Sequence, residues 1–550
     1  MNVTRQVVRL LFVCSMALMV PVSVYSWEPN AKDLDAAVAA GDFGQYQASL
    51  STWLTGKVPA EASKISEDSM KTLLKDPVLL GALAQRTFIA KAGVENIGKF
   101  AKADKDSAAF LAWILKDTKV MELYLEGATP LTLGGRDGNG WGLSTGSLAI
   151  WKKIYLSDPD SRQGIYLRLA MATALRPPGS GNRGAGMQEK PSDPLVRYNH
   201  FKTAHKNNEL FPSFNNLTVW DYQHVVSSCA SEGDLAWARE MINSWRPDLR
   251  IKEQVVNSTS EVWRRNSPWS FTNGFKSVLE GGGKCGPRSS WGVFIGQAFG
   301  IPSLGVGQPA HACIAARAEY PETDPQPGHP WKVYQGRGWN VSRLDGTSGN
   351  EFLAGVEDRY RAVQFTQVEH LRWMAAAQES KDAAAAIMAV AMNIRKNAET
   401  AEKPAPGGNE LAQSTPVPEA PFKVEAGTIH IEAESFAKMS GIAVVDCYTG
   451  GKQVNFFKSA ESSWLDYSVD VPAAGTYAAT MRVAVVNRDQ VLDIMSGAEK
   501  LATATIPQTF GSWTTTEPVE VKLAKGSQTI RISAPFQRGV ALRWLELKAK

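Results

Sequence analysis

A segment rich in proline and glycine divides the chain into two parts with different sequence patterns. It runs KPAPGGNELAQSTPVPEAP from Lys403 to Pro421 and offers few residues that a core could bury. Apolar residues recur mainly at helical spacing before this segment and mainly at alternate positions after it. The sequence therefore predicts a linker over residues 401–421, between a largely α-helical body and an all-β domain.

Short alternating runs fill residues 422–550 and predict the all-β domain. Examples are TIHIEAE, SWLDYSVDV, TYAATMRVAV, VEVKL and ALRWLELK, which turn signals such as Ala473-Ala474-Gly475 separate. Strands at this spacing are typical of two packed antiparallel sheets, here over about 130 residues. We therefore expect a C-terminal jelly-roll sandwich.

Residues 27–249 predict an α-helical N-terminal domain. Helical apolar patterns run through 33–53, 76–92, 105–116, 148–156, 163–175 and 234–245. The connections between them are rich in Gly, Asp and Pro, and no repeat of fixed period marks a regular solenoid. The loop Gly134–Gly140 lacks both the P-loop Lys-Ser/Thr pair and the acidic spacing of an EF-hand, so it predicts a surface turn.

The first 26 residues predict an export signal. Arg5 and Arg9 precede the apolar run Leu10–Val20, which is short for a membrane span, and residues 24–26 have the form of a cleavage site. A retained N-terminal anchor is the alternative. We expect a secreted, periplasmic or cell-surface protein without a membrane span once residues 1–26 are removed.

Composition narrows the functional classes. The formal net charge is only +4 and no dense basic block occurs, so nucleic acid is not a predicted partner. The 17 tryptophans suit grooves for sugars or peptides as well as cores. Four cysteines follow the signal: Cys229, Cys285, Cys313 and Cys447. They are too few for a disulfide scaffold, although one pair among them could form.

The stretch Gly281–Cys313 contains a candidate nucleophile and a candidate base. A glycine run delivers Cys285 to the start of a helix with one apolar stripe, which Gly300 and Pro302 end. Unpaired N–H groups and the helix dipole favour a thiolate at such a terminus. Because His311 opens the strand-like HACIAA, the pattern predicts a Cys–His pair.

Three motifs in this region, GGKCG, FGIPSLGVGQPAHA and PWKVYQGRGW, resemble the transglutaminase-like domain. The resemblance implies a papain-like α+β fold over residues 250–400, including a trailing helix. It also implies that Cys285 is the nucleophile and His311 the base. The reaction would be hydrolysis or acyl transfer at a peptide or amide bond through a thioester.

The third catalytic residue is less well defined. In the family an Asp on the next strand orients the imidazole, and its usual register falls here on Gln335, which is not an acid. Asp345 is our candidate for this role, with Gln335, Asn340 and Asp324 as alternatives, because an amide can also orient an imidazole.

Two other interpretations compete with catalysis. The fold can persist without activity, with Cys285 as a small buried hydrophobe and His311 as a hydrogen-bonded core residue. A metal site is the other interpretation, because His311 and Cys313 share one face of a strand and Cys285 lies upstream. No C-x-x-C motif or second His cluster supports zinc.

The C-terminal blocks IHIEAESF, SWLDYSVDVPAAGTYAATMRVA, IPQTFGSWTTTEPVEVKLAKGSQTIRI and LRWLELK resemble the carbohydrate-binding modules of families six and thirty-five. The resemblance implies a glycan or polysaccharide partner and a structural Ca²⁺. Glu432 and Glu434 match the family's calcium-binding pair, and strand alternation puts both carboxylates on one face.

The same resemblance implies a sugar platform formed by Phe456 or Phe457 together with Trp513. A second Trp that often follows is replaced here by Thr516, and Trp464 is expected in the core. Binding at the concave sheet face is the alternative to this loop site.

The sequence as a whole predicts an exported, multidomain, glycan-targeted protein with a Cys–His site that acts on a protein or peptide substrate. The alternative is a non-catalytic carbohydrate-binding or scaffolding protein that retains an inactive transglutaminase-like fold.

Overall fold

The computed structural model describes residues 27–129, 143–179, 192–251, 254–264, 274–317, 331–336, 349–401, 423–425, 427–448, 450–456, 462–488, 490–535 and 539–550. The export signal predicted at 1–26, the loop Gly134–Gly140 and the linker beyond residue 401 lie outside these residues. Asp345, Asn340, Asp324 and Phe457 also lie outside them.

The helical prediction for the N-terminal region is confirmed. The described residues form α1 (Ala31–Ala40), α2 (Gly44–Lys57), α3 (Glu67–Leu73), α4 (Pro77–Ala92), α5 (Val94–Ala103), α6 (Lys105–Lys116), α7 (Thr118–Gly127), α8 (Thr145–Ser157), α9 (Gly164–Leu175), α10 (Pro194–Lys206), α11 (Val219–Val226), α12 (Glu232–Trp245) and α13 (Pro247–Ile251). Short 3₁₀ turns occur at Ala62–Lys64, Pro159–Arg162, Pro212–Asn216 and Val255–Ser260.

Local chemistry explains the helix boundaries. The side chain of Asp76 accepts hydrogen bonds from the first backbone N–H groups of α4, and Pro77 suits the first helical position. The run predicted as one helix over 33–53 is two helices, because Gly41 adopts φ 54° and ends α1. Such a break needs a residue that tolerates the left-handed region, and glycine does so without steric cost.

The middle of the chain joins five helices to a small sheet. The helices are α14 (Lys276–Gly281), α15 (Cys285–Ala298), α16 (Gly349–Tyr360), α17 (Ala362–Ala377) and α18 (Lys381–Ala401). The strands β1 (Ser303–Gln308), β2 (His311–Arg317) and β3 (Trp331–Tyr334) form an antiparallel sheet in that order. The helix predicted over 373–399 is therefore parts of two helices, α17 and α18, that meet near Ser380.

Helices α17 and α18 pack back on the N-terminal helices rather than trailing away. Thr55 on α2 donates to the carbonyl of Ala377 at 3.2 Å, and Asn393 on α18 donates to Glu67 on α3 at 2.9 Å. One continuous apolar core joins α1–α12 to α15, α17 and α18. The middle segment and the N-terminal helices consequently form a single packed body.

The C-terminal region is an all-β sandwich, as predicted. Its strands are β4 (Lys423–Glu425), β5 (Thr428–Glu432), β6 (Lys438–Ser440), β7 (Ile442–Asp446), β8 (Lys452–Phe456), β9 (Ser463–Val471), β10 (Gly475–Val485), β11 (Gln490–Ser496), β12 (Glu499–Ile506), β13 (Thr514–Thr515), β14 (Val519–Leu523), β15 (Gly526–Ala534) and β16 (Val540–Ala549). One sheet has the order β13-β10-β16-β5-β4, with β14 also paired to β10 and β8 paired to both β16 and β7. The second sheet has the order β12-β11-β15-β9-β6, and a separate apolar core fills the space between the two sheets.

The sandwich is docked on the helical body through one edge. We call this the docking edge and define it by Tyr448, Asn487, Phe510, Gly511 and Gly539. Its carbonyl groups at Gly539 and Phe510 accept hydrogen bonds from tryptophan indoles of α12, and its Asn487 amide donates to the carbonyl of Glu261 at 2.9 Å. Sandwich residues Ala484, Val486 and Ala541 are part of the helical body's core.

The four cysteines that follow the predicted signal all lie within the described residues. Among Cys229, Cys285, Cys313 and Cys447 no disulfide is present, so the pair that the sequence left open does not form here. Within the described ranges, no helix combines the length and the apolar character that crossing a bilayer would require.

Candidate functional site

Helix α15 lies along β2 so that the two elements start at the same end. Ser289, one turn into α15, donates to the carbonyl of Cys313 at 2.5 Å, and Gly292 lies directly over Ile314. Further along, Gly296 lies against Ser303, which pairs with Ala316 in the sheet. Helix and strand therefore run in the same direction, and this register brings Cys285 and His311 to the same end of the sheet.

Cys285 lies at the N-terminus of α15. Cys285 is the first helical residue, it is half-buried, and Lys284 before it provides no side-chain cap. The N–H groups of the first turn consequently keep their positive character at the thiol. The predicted location of Cys285 at a helix N-terminus is confirmed.

A backbone carbonyl orients His311. Its Nε2 lies 2.6 Å from the carbonyl oxygen of Gln335, just beyond the end of β3. Because a carbonyl can only accept, Nε2 carries the proton in this contact, and Nδ1 of the neutral ring is left as the acceptor. A ring held in this tautomer can take a proton from a thiol on its Nδ1 side.

The turn that supplies this carbonyl has an uncommon backbone angle and leaves no space for a side chain at its second residue. Gln335 adopts φ 59°, which is uncommon for a residue other than glycine. Gly336 follows, and a Cβ there would lie 2.5 Å from Val333 Cγ1 and 3.1 Å from Cys313 Sγ. Only glycine fits between these side chains, so their packing fixes the position of the turn.

The catalytic constellation is incomplete among the described residues. No hydrogen bond joins the Cys285 thiol to the His311 ring there, and Gln335 contributes its backbone carbonyl rather than its side chain. Asp345, Asn340 and Asp324 lie outside the described residues.

The neighbouring Cys313 is not a second nucleophile. It is fully buried, and burial raises the pKa of its thiol to about 11, with the nearby Cys285 adding to the rise. Cys313 therefore stays protonated at neutral pH. The described residues also contain no group of three or more His, Cys, Asp and Glu side chains that could hold a metal ion.

The predicted sugar platform is described only in part, because Phe457, the alternative to Phe456, lies outside the described residues. Phe456 is fully buried in the sandwich core, so it cannot present its ring to a ligand. Trp513 is half-buried and packs against the core of the helical body, next to the docking edge. Thr516, in the position of the second tryptophan, is buried and accepts a hydrogen bond from the backbone N–H of Met481 at 3.0 Å.

The outer face of the second sheet instead carries one partly exposed aromatic ring, that of Trp464. Trp464 alternates with the buried Leu465, so its ring points away from the core, and the expectation that Trp464 packs in the core is wrong. The Arg531 guanidinium lies 3.9 Å from the Trp464 ring centroid and forms a bidentate ion pair with Asp466 at 2.6 and 2.9 Å.

The two predicted calcium ligands have different surroundings. Glu432 is exposed and lies 3.2 Å from Nε2 of His430. Glu434 is half-buried, and its Oε2 is a buried oxygen that no described group hydrogen-bonds. Burial raises the pKa of the Glu434 carboxyl, and the charge of Glu432 adds to the rise. A bound cation would satisfy this oxygen, so the residues present fit part of a calcium site.

Comparison with known proteins identifies the sandwich. Residues 432–549 match the family described as carbohydrate binding module (family 6). A family 6 carbohydrate-binding module is present. The match begins at the last residue of β5 and ends with β16. It does not reach the middle segment, whose transglutaminase-like interpretation stays a prediction. No curated protein matches the chain.

Solved structures resemble the module at low identity. The C-terminal CBM6 of LamC, a marine laminarinase from Zobellia galactanivorans, is 24% identical over 22% of this chain and 98% of its own, with a TM-score of 0.20. A CBM6 of Cellvibrio mixtus lichenase 5A, solved in complex with cellotriose, is 31% identical over 22% of this chain and 96% of its own, with a TM-score of 0.20. A family 35 module from Clostridium thermocellum is 20% identical over 23% of this chain and 100% of its own, with a TM-score of 0.21.

Proposed function

We propose that this chain is an exported, glycan-directed enzyme that cleaves or transfers at a peptide or amide bond through a thioester on Cys285. The observation that carries the proposal is the shared end of α15 and β2, where Cys285 begins the helix and His311 begins the strand. The module supplies the second half of the function, because binding a glycan would raise the effective concentration of the body at its substrate.

The proposed chemistry uses only groups at this end of the sheet. The Cys285 thiol gives its proton to Nδ1 of His311, and the sulfur attacks the substrate's carbonyl carbon. His311 then returns the proton to the leaving amine nitrogen as the C–N bond breaks. Water or a second amine releases the acyl group from sulfur, which gives hydrolysis or transfer. The Gln335 carbonyl holds the ring by its Nε2–H during these steps.

Alkylation rates test the nucleophile. We expect iodoacetamide at pH 7 to modify Cys285 at least about tenfold faster than Cys229, since an adjacent base that takes the thiol proton makes the sulfur a stronger nucleophile. Cys229 is the internal control, because it is also half-buried and forms no disulfide. Peptide mapping by mass spectrometry at timed quenches gives both rates in one sample, and His311→Ala should lower only that of Cys285.

Equal rates for the two cysteines would rule out the enzyme and favour the second candidate function, a non-catalytic glycan-binding or scaffolding protein. One observation favours that candidate: among the described residues, the Cys285 thiol makes no hydrogen bond to His311. The two candidates share the module, so glycan binding does not distinguish them.

We place the glycan-binding surface of this proposal on the outer face of the second sheet, around Trp464. Aromatic rings bind the C–H faces of sugar rings, and charged side chains beside them bond the hydroxyls. Trp464 offers the ring, while Arg531 and Asp466 offer donors and acceptors next to it. At the loop site, Phe456 is buried and Trp513 is packed on the body, so binding there would depend on Phe457, which lies outside the described residues.

A substitution at Trp464 tests this surface. We expect Trp464→Ala to lower affinity for a β-linked glucan at least about tenfold, with laminarin and cellotriose as probes in calorimetric titration, since losing one stacked ring costs about 1–3 kcal/mol. Trp464→Phe is the matched control and should retain most of the binding. If Trp464→Ala binds as the unmodified protein does, the surface lies elsewhere.

Calcium at Glu434 is part of the same proposal. Ca²⁺ takes about six to eight oxygen ligands, so backbone carbonyls would complete the set that Glu432 and Glu434 begin. We expect millimolar Ca²⁺ to raise the thermal unfolding temperature by several degrees through mass action, and Glu434→Gln to remove this rise. Mg²⁺ at the same concentration is the control. A rise that persists in Glu434→Gln would exclude this pair.

A further inference from the structure

Residues 259–263 hold the start of α15 on both sides of Cys285. Before the cysteine, the backbone N–H of Gly283 donates to the carbonyl of Trp263 at 3.0 Å. After it, Arg288 near the start of α15 donates through Nη2 to the carbonyl of Thr259 at 2.9 Å. The position of the candidate nucleophile therefore depends on residues 259–263, which we call the support segment.

The approach to Cys285 has little conformational restraint of its own. Gly281, Gly282 and Gly283 precede Lys284, and glycine loses more backbone freedom on ordering than any other residue. Gly282 ends α14 with φ 66°, and Lys284 provides no side-chain cap for α15. The bond from Gly283 to the support segment is consequently a restraint that the glycine run cannot provide itself.

A side chain of the module holds the support segment in turn. Asn487 on the docking edge is fully buried, and its amide bonds two consecutive peptide groups of the segment. Its Nδ2 donates to the carbonyl of Glu261 at 2.9 Å, and its Oδ1 accepts from the N–H of Trp263 at 3.3 Å. An amide side chain can do both because it carries a donor and an acceptor. Trp263 thus connects Asn487, through its N–H, to Gly283, through its carbonyl.

Two side-chain contacts attach the same segment to the helical body. Val262 is buried in the core of the body, and the Glu261 carboxylate lies 3.2 Å from Nη1 of Arg246. These contacts keep the segment on the body, whereas the direction of the Trp263 backbone depends on its backbone bonds. Asn487 makes one of those bonds, and the one to Gly283 is the other that matters for Cys285.

We propose that Asn487 is a positioning residue for Cys285, so that the docked module forms part of the framework of the catalytic site. The inference rests on the proposed function in one respect, namely that Cys285 is the nucleophile. Asn487 acts through Trp263 and Gly283 on the start of α15, and thereby on the position of the thiol relative to His311. The module then has a role besides binding glycan, since docking holds the nucleophile in place.

Hydrogen exchange of the full chain, measured by mass spectrometry with overlapping peptides, tests this link. We expect Asn487→Ala to raise the exchange rate of the Gly283 amide at least about fivefold, because losing two hydrogen bonds makes local opening more frequent. Gln453→Ala is the matched control, since Gln453 is also a buried amide of the module and donates to the carbonyl of Trp245 on the body at 3.4 Å. It should leave Gly283 unchanged. Equal acceleration in both variants, or none in Asn487→Ala, overturns the proposal.

Alkylation separates positioning from general loosening. Asn487→Ala should slow the reaction of Cys285 with iodoacetamide at pH 7 at least about threefold relative to Cys229, because a displaced thiol loses its base. A structural role alone would expose the thiol and speed the reaction, so unchanged or faster alkylation overturns the positioning role. Equal rates for Cys285 and Cys229 in the unmodified protein would instead contradict the proposed function, and hydrogen exchange still tests the link through Asn487 in that case.

Asn487→Asp covers the case in which Asn487→Ala unfolds the module. It keeps the size of the side chain and the acceptor for the N–H of Trp263, but its carboxylate cannot donate to the carbonyl of Glu261. Exchange in β9 and β15 that matches the unmodified protein shows that the module is folded. Both measurements should then change in the same direction as in Asn487→Ala, and unchanged exchange at Gly283 overturns the proposal.

Discussion

Gly336→Val should slow the alkylation of Cys285 by iodoacetamide at pH 7 at least about tenfold. A side chain at this position has no room between Val333 and Cys313, so the turn must shift. The carbonyl of Gln335 then moves away from Nε2 of His311, and the ring loses the contact that fixes its tautomer. A thiol without an oriented base has no group to take its proton, so its sulfur reacts more slowly.

The matched control for this prediction is Gln335→Gly. Glycine keeps the backbone carbonyl, tolerates the left-handed conformation of this residue and removes the side-chain amide. Cys285 in Gln335→Gly should react within about twofold of the unmodified protein. The reverse pattern, a slow Gln335→Gly and an unaffected Gly336→Val, would mean that the amide side chain orients the ring, as in the Cys-His-Asn arrangement.

The sequence predicted the location of Cys285 and His311 but not the group that orients the histidine. Glycines before a cysteine, a helical apolar stripe and a following Gly300 and Pro302 are local signals, and each has a direct structural cause. A backbone carbonyl leaves no such signal, because every residue has one. Only the φ angle of Gln335 and the packing of Gly336 decide where that carbonyl points.

The sequence also predicted the fold of the module, but it did not predict how the module docks on the helical body. Alternation and turn residues are properties of one segment, so the sandwich could be predicted. The docking edge joins residues that are far apart in the chain, such as Trp237 with Phe510 and Trp245 with Gly539. The family resemblance assigns Trp513 to the sugar platform, but in the structure Trp513 packs on the helical body.

Gly511→Ala should undock the module from the helical body. Gly511 adopts φ 84°, and a Cβ there would overlap Met241 on α12, including its Cα at 3.2 Å. Rotation of the Met241 side chain could relieve the contact with Cγ at 2.3 Å but not the tight contacts with Cβ at 3.1 Å and Cα at 3.2 Å. Overpacking of this kind costs about 1–3 kcal/mol. We expect a lower unfolding temperature and, in small-angle X-ray scattering, a larger radius of gyration as the two parts separate.

Gly497→Ala separates docking from backbone strain. Gly497 lies in the turn between β11 and β12 with φ 60°, and a Cβ there meets no atom within 4 Å. Its replacement costs the left-handed penalty of about 1–2 kcal/mol but should leave the radius of gyration unchanged. Equal radii for the two variants would mean that the docking edge tolerates the substitution.

If Gly511→Ala alone expands the molecule, the face of the module that carries Trp513 becomes accessible. Glucan binding that Gly511→Ala gains and that survives Trp464→Ala would then identify Trp513 as a ligand contact hidden by docking.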